Sequence, residues 1–158
     1  MVSNEKILIT GATGFIGANL ARVSLREGAK VYVFIRTTSN KWRIKDILGD
    51  ITEYYVDLTH REEVEKTVSH IQPEIIFHTG VYGGYPSQCD CNKIYETNLI
   101  GTINLINACR KIGFKIFINA GSSSEYGVKK LPMKENDTLE PTSAYSISKA
   151  LATLFCQM

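Results

Sequence analysis

The sequence predicts an α/β fold: a doubly wound parallel sheet of strand order 3-2-1-4-5 with helices on both faces. Three observations predict it. Apolar runs of strand length alternate with segments whose apolar residues recur every three or four positions, the pattern of right-handed βαβ crossovers. Several runs lack polar alternation, as strands covered on both faces do. A glycine-rich turn also stands between the first strand and the first helix. The 158 residues suit one domain, 1–158, with no internal repeat or linker.

Lys6 to Thr10 is the first strand. Phe15 to Glu27 reads as a helix with Ile16, Leu20 and Val23 on its inward stripe, ended by Gly28. Val31 to Ile35 is a second strand, followed by a polar stretch from Thr37 to Lys45. Glu53 to Val56 is a third. Arg61 to Ile71 is a helix with Val64, Val68 and Ile71 in register, closed by Pro73. Glu74 to Phe77 is the fourth strand, and a loop rich in Gly and Tyr runs on to about Asn92. The longest helical pattern spans Lys93 to Ile112, with Ile94, Gly101, Leu105, Ala108 and Ile112 on one stripe and Asn98 among them. Lys115 to Ile118 is the fifth strand. Loop signals fill Gly121 to Ser143, and a last helix starts near Ala144. On that helix Ile147, Leu151 and Leu154 are expected to face the core.

Composition excludes several classes. Apolar residues make up 44% and charged residues 22%, which argues against disorder and low-complexity chains. The net charge is +2 and no basic block exceeds two residues, so no nucleic-acid partner is expected. No apolar run reaches membrane-spanning length, and the N-terminus lacks the apolar core of a signal peptide. The expected compartment is the cytoplasm, with no membrane partner. Cys89, Cys91, Cys109 and Cys156 form no C-x-x-C and no ligand set with His, so reduced thiols and no metal are expected.

The turn after the first strand reads Gly11-Ala12-Thr13-Gly14-Phe15-Ile16-Gly17, a relative of the dinucleotide fingerprint. Gly11 lets the chain leave the strand sharply, Gly14 lets a pyrophosphate approach, and Gly17 lets the helix pack closely. Unpaired N–H groups at the helix start favour phosphate. The competing reading is a strand–helix turn that binds nothing. Arg36 ends the second strand. An acidic residue there suits a free ribose 2′-hydroxyl and an Arg suits a 2′-phosphate, so Arg36 favours NADP over NAD. Thr37, Thr38, Ser39 and Lys41 are candidate helpers. A solvated surface Arg is the alternative.

The last helix carries Tyr145 and Lys149 four residues apart, on one face. An ammonium beside a phenol stabilises the phenolate, which makes the pair an acid/base device. By itself the spacing is a common coincidence. It gains weight from Gly121-Ser122-Ser123-Ser124-Glu125-Tyr126-Gly127, serines at the carboxyl end of a central strand, where a hydroxyl can hydrogen-bond a reacting oxygen.

These residues resemble the extended short-chain dehydrogenase/reductase family, the NAD(P)-dependent sugar-nucleotide epimerases, dehydratases and ketoreductases. The match runs through the glycine turn, Asp57-Leu58, His78-Thr79-Gly80, Asn98-Leu99-Ile100-Gly101-Thr102, the serine loop and Tyr145-x-x-x-Lys149. The resemblance implies a Rossmann-like fold and a set of cofactor contacts: Gly11, Thr13, Gly14, Phe15, Ile16, Gly17, Arg36, Asp57, Leu58, Thr79, Gly80, Asn98, Tyr145 and Lys149. Asp57 would meet the adenine amino group, and Asn98 would tie its helix to a neighbouring strand. Tyr145 would be the acid/base, Lys149 would hold the nicotinamide ribose, and Ser122, with Ser124 as runner-up, would be the catalytic hydroxyl.

Two departures matter. His78-Thr79-Gly80-Val81 stands where alanines are common. Ser123 and Ser124 stand where the dehydratases carry acids, and Glu125 is offset by one residue, which disfavours water elimination. The resemblance therefore implies a nucleotide-sugar substrate and 4-keto reduction with NADPH. A 4-epimerase using NAD and a non-catalytic dinucleotide-binding module are the alternatives. It also implies that the carboxyl-terminal substrate-binding part is missing, so that the chain is truncated and alone inactive. A homodimer through the Lys93–Ile112 and Tyr145 helices is a further implication.

Overall fold

Strand β1 (Lys6–Thr10) lies at the centre of the sheet because it is apolar on both faces: Ile7, Leu8 and Ile9 are all buried. A computed structural model describes residues 2–158. In it β1 pairs in parallel with β2 (Lys30–Ile35) on one side and β4 (Ile75–His78) on the other. Outside these lie β3 (Thr52–Tyr55) and β5 (Ile116–Asn119), also parallel. The observed order is β3-β2-β1-β4-β5, as expected from the sequence.

Alternate residues of β1 feed two cores. Ile7 and Ile9 join Ala18 and Ala21 of helix α1 (Phe15–Arg26) with Val31, Val33 and Ile35 of β2. Leu8 joins Val64 and Val68 of α2 (Arg61–Ile71) and Leu105 and Ala108 of α4 (Gly101–Ile112). The stripes expected on α2 and α4 therefore face inward. Full burial of one such side chain contributes roughly 1.5–3 kcal/mol.

Two stripes do not face as expected. On α1 the buried residues are Gly17, Ala18, Ala21 and Ser24, whereas Ile16 is 58% and Val23 45% exposed and only Leu20 packs partly on the core. The helix runs so close to the strands that small side chains take the inner face. On α5 (Ala144–Cys156) the buried residues are Ser146, Ser148, Lys149, Ala150 and Ala152. Leu151 and Leu154 are 42% and 48% exposed, so they do not anchor the helix. Hydrogen bonds decide the orientation: Ser143 and Ser146 cap the helix start reciprocally, and Ser148 receives the Asn98 side-chain amide.

Boundaries differ by one or two residues from the sequence reading, within ordinary fraying. The long helix begins at Cys91, because Asp90 accepts the Lys93 N–H as its N-cap. It runs as α3 (Cys91–Tyr95), a π turn (Glu96–Ile100) and α4. The stretch after β2 read as polar loop contains a 3₁₀ segment (Trp42–Ile47) that buries Ile44 and Ile47. β5 is an edge strand, and its Ile116 and Ile118 are each 47% exposed on the face that α1 covers elsewhere. Among the described residues no helix is long and apolar enough to cross a membrane. All four cysteines are free thiols.

Truncating Leu105 to Ala is expected to cost about 2–5 kcal/mol. Leu151→Ser is expected to change stability by less than about 0.5 kcal/mol. Urea denaturation of the two variants checks both values, and a large loss for Leu151→Ser would place α5 the other way round.

Candidate functional site

The carboxyl ends of β1, β2, β3 and β4 open onto one cavity of about 580 Å³. Gly11 sits where β1 and β4 meet. Its φ is +70°, and a Cβ there would stand 2.6 Å from the backbone of Thr79, so only glycine fits. The Gly14 N–H closes the turn on the Gly11 carbonyl at 2.9 Å, and Gly14 then becomes the N-cap of α1 without a side-chain cap. A Cβ on Gly17 would meet the Gly11 carbonyl and lie 2.8 Å from Ala12 Cα. The first turn of α1 thus presents backbone N–H groups to the cavity.

From the turn come Gly11, Thr13, Gly14, Phe15, Ile16 and Gly17. Arg36 lines the cavity after β2, Asp57 and Leu58 after β3, and Thr79 and Gly80 after β4. Ile16, lost from the core stripe, serves here. Asp57 Oδ1 accepts from the Thr59 N–H at 3.0 Å and the Thr59 hydroxyl at 2.8 Å. Burial raises the Asp57 carboxyl, but these bonds with the charges of His60 and Arg36 outweigh it and hold the group below the usual carboxylate range.

The far end of the cavity is built by the segment after β2. The Ser39 hydroxyl accepts the Arg36 N–H at 3.0 Å, and Thr38, Ser39, Asn40 and Arg43 join Arg36 in the wall. Arg43, which sequence reasoning missed, stacks on the Trp42 ring at 4.2 Å. Lys41 turns away instead, paired with Glu53 at 2.8 Å and the Tyr55 hydroxyl at 3.1 Å. Among the described residues Arg36 and Arg43 have no carboxylate partner. Tyr85 and Thr97 complete the wall on the β4 side.

Ser122, Tyr145, Lys149 and Asn98 lie outside this wall. Ser122 caps a 3₁₀ turn (Ser123–Tyr126) in a capping box: its Oγ accepts the Ser124 N–H at 3.2 Å, and Glu125 Oε1 accepts the Ser122 N–H at 2.7 Å. Glu125 is buried as that cap, a role the Ser-x-x-Glu spacing could have signalled. Ser122 Oγ also bonds Ser124 Oγ at 2.7 Å. The Tyr145 ring abuts the loop after β4: a Cβ on Gly83 would stand 3.2 Å from Tyr145 Cδ2. Lys149 is only 4% exposed. Burial pulls its ammonium below the usual range, and Glu125 and Cys156 partly oppose that.

Asn98 is a buried strut, not part of the wall. Its side chain accepts the Tyr82 N–H and donates to the Tyr82 carbonyl, both at 2.8 Å, and donates to Ser148 Oγ at 3.0 Å. It ties the π turn to the loop after β4 and to α5, rather than to a strand.

A crevice at the strand order's switch point, floored by a glycine turn and a helix start, defines a dinucleotide-binding type of fold. The model of the NAD dependent epimerase/dehydratase family matches residues 7–158, and the chain belongs to that family. It is 31% identical over 152 residues to UDP-glucose 4-epimerase of Bacillus subtilis, covering 92% of this chain and 45% of the relative. It is 32% identical over 158 residues to GDP-mannose 4,6 dehydratase 2 of Caenorhabditis elegans, covering 90% and 41%. The chain thus spans less than half the length of these relatives. The Bordetella bronchiseptica enzyme WbmG, solved in complex with NAD and UDP, superposes with a TM-score of 0.89 at 25% identity over 99% of this chain and 50% of WbmG.

His78, beneath the cavity floor, is fully buried, and burial together with the Lys149 charge lowers its ring from 6.5 to about 3. Between those values the unfolded chain binds a proton that the folded one refuses, so stability rises with pH there. Acidification from pH 6.5 to 5.5 is expected to cost about 1 kcal/mol. Urea denaturation at several pH values measures it, and His78→Asn is expected to flatten the slope.

Proposed function

We propose that the chain is the cofactor-binding part of an oxidoreductase that acts on a nucleotide sugar and uses NADPH, most directly for 4-keto reduction. The observation that carries this reading is the convergence of the glycine turn, Arg36, Asp57-Leu58 and Thr79-Gly80 on one cavity. These residues fit a dinucleotide. The bare N–H groups of α1 suit its pyrophosphate, and the space kept open by Gly11 suits its close approach. Asp57 Oδ2, outside the Thr59 bonds, would meet the adenine amino group. Arg36 and Arg43, both without carboxylate partners among the described residues, would hold a 2′-phosphate.

When bound, the nicotinamide supplies the hydride. The chain's own residues move and hold the proton. Tyr145 Oη gives it to the sugar carbonyl oxygen, the Lys149 ammonium stabilises the phenolate left behind, and the Ser122 hydroxyl hydrogen-bonds the same oxygen. The Ser122–Ser124 bond lets either hydroxyl take that part. The commitment of Glu125 to its cap supports reduction over water elimination, which needs an acid for the leaving hydroxyl. Because the chain spans under half of its curated relatives, it is expected to show no turnover alone. A homodimer through the Lys93–Ile112 helix and α5 would cover the half-exposed Leu151 and Leu154.

A second reading, an NAD-using 4-epimerase, is favoured by the likeness to a UDP-glucose 4-epimerase and by the NAD in WbmG. Fluorescence titration of the chain with NADPH and NADH separates the two. NADPH is expected to bind at least about tenfold tighter, with Arg36→Ala and Arg43→Ala each removing most of the difference. Equal binding, or tighter NADH, favours the epimerase. Binding of neither sinks both.

A further inference from the structure

His78 takes no part in lining the cavity, yet one ring nitrogen is spent on Thr10, which does, and the other on Thr102, which is bonded to the Asn98 strut. It is the last residue of β4, in register with Thr10, the last residue of β1. Nδ1 lies 2.6 Å from Thr10 Oγ1, and Nε2 lies 2.8 Å from Thr102 Oγ1. The direction of each bond follows from the neighbours. The Thr102 hydroxyl donates its single proton to the Asn98 carbonyl at 2.6 Å, so it can only accept from the ring. Nε2 therefore carries the hydrogen. Nδ1 is then the acceptor, and the Thr10 hydroxyl donates to it. With its proton committed, Thr10 Oγ1 turns a lone pair to the Gly80 N–H, 3.1 Å away.

The result is a one-way chain: Gly80 N–H to Thr10 Oγ1–H to His78 Nδ1, and His78 Nε2–H to Thr102 Oγ1–H to the Asn98 carbonyl. At one end stand Thr10 and Gly80, both in the cavity wall. At the other end is the π turn, whose Asn98 side chain grips Tyr82 and Ser148. Ser148 in turn donates to the Tyr145 carbonyl at 2.7 Å. A continuous run of bonds thus joins the cavity floor to the backbone of the helix that carries Tyr145 and Lys149.

We propose that His78 is a positioning residue which, in its Nε2–H tautomer, fixes the Thr10–Gly80 floor of the cavity and ties it to the Asn98 strut. Its consequence for ligand binding rests on the dinucleotide reading above; its tautomer and its hold on Gly80 do not. Each arm has a stand-in. An Asn side chain can place an oxygen near Nδ1, and a Gln side chain can place an amide N–H near Nε2. A Phe fills the space with neither.

Nitrogen-15 NMR of the histidine-labelled chain is expected to show hydrogen on Nε2 alone, unchanged from pH 8 to pH 5, with the Lys149 ammonium as the charge acting on the ring. The Gly80 amide is expected to exchange at least about tenfold faster in His78→Phe than in the wild type or His78→Asn. With the tighter-binding of NADPH and NADH as probe, His78→Asn is expected to keep affinity within about threefold, while His78→Gln and His78→Phe lose about tenfold or more. Hydrogen on Nδ1, a ring that titrates in that range, or His78→Phe matching His78→Asn in Gly80 exchange overturns the proposal. If the wild-type chain binds neither dinucleotide, the functional reading falls, and the NMR and exchange results still decide the role of His78. Should a variant fail to fold, the wild-type tautomer decides it.

Discussion

The structure depends on how closely β1 and β4 approach where both strands end. Gly11 turns out of β1 with its backbone against Thr79 and Gly80, at a distance no side chain permits. That contact opens the crevice between the two crossovers, because the chain leaves β1 to one side of the sheet and β4 to the other. Thr79 and Thr10 reinforce it: the Thr79 hydroxyl donates to the Thr10 carbonyl at 2.7 Å. Gly17 closes the same turn from the helix side. The cavity follows from these backbone contacts, and side chains only finish its walls.

Much of this was legible in the sequence. Strand order followed from alternation and handedness, and the cavity lining on the β1 side from glycine spacing before a helix. What was not legible has physical causes. The stripe rule rewards large apolar residues, so it chose Ile16 and Val23 for the inner face of α1. Close helix–strand approach instead selects Gly17, Ala18 and Ala21. On α5, Leu151 and Leu154 looked like anchors, but capping and the Asn98–Ser148 bond turn a polar face inward. A polar residue with a waiting partner can displace a leucine, and no periodicity reveals where that partner will be.

The candidate site divides the same way. Arg36 could be read from its place after the second strand, whereas Arg43 could not. Arg43 reaches the wall only because a 3₁₀ segment, carried by the sparse signal of Ile44 and Ile47, bends the chain back. Asn98 was marked by its position on an apolar stripe. Its partners in the loop and on α5 needed the fold. Lys149 could be read as the partner of Tyr145 on one helix face, but not its burial beside the Glu125 cap, which keeps a charge near it without a direct ion pair among the described residues.

The Cβ-free contact of Gly11 with Thr79 and Gly80 shapes the crevice that we propose takes a dinucleotide. The most direct measurement is the dinucleotide binding isotherm of Gly11→Ala beside that of Gly49→Ala, whose added methyl meets nothing within 4 Å. The first variant is expected to lose affinity at least about tenfold, while the second binds as the wild type does. Unchanged binding by a folded Gly11→Ala chain would contradict it.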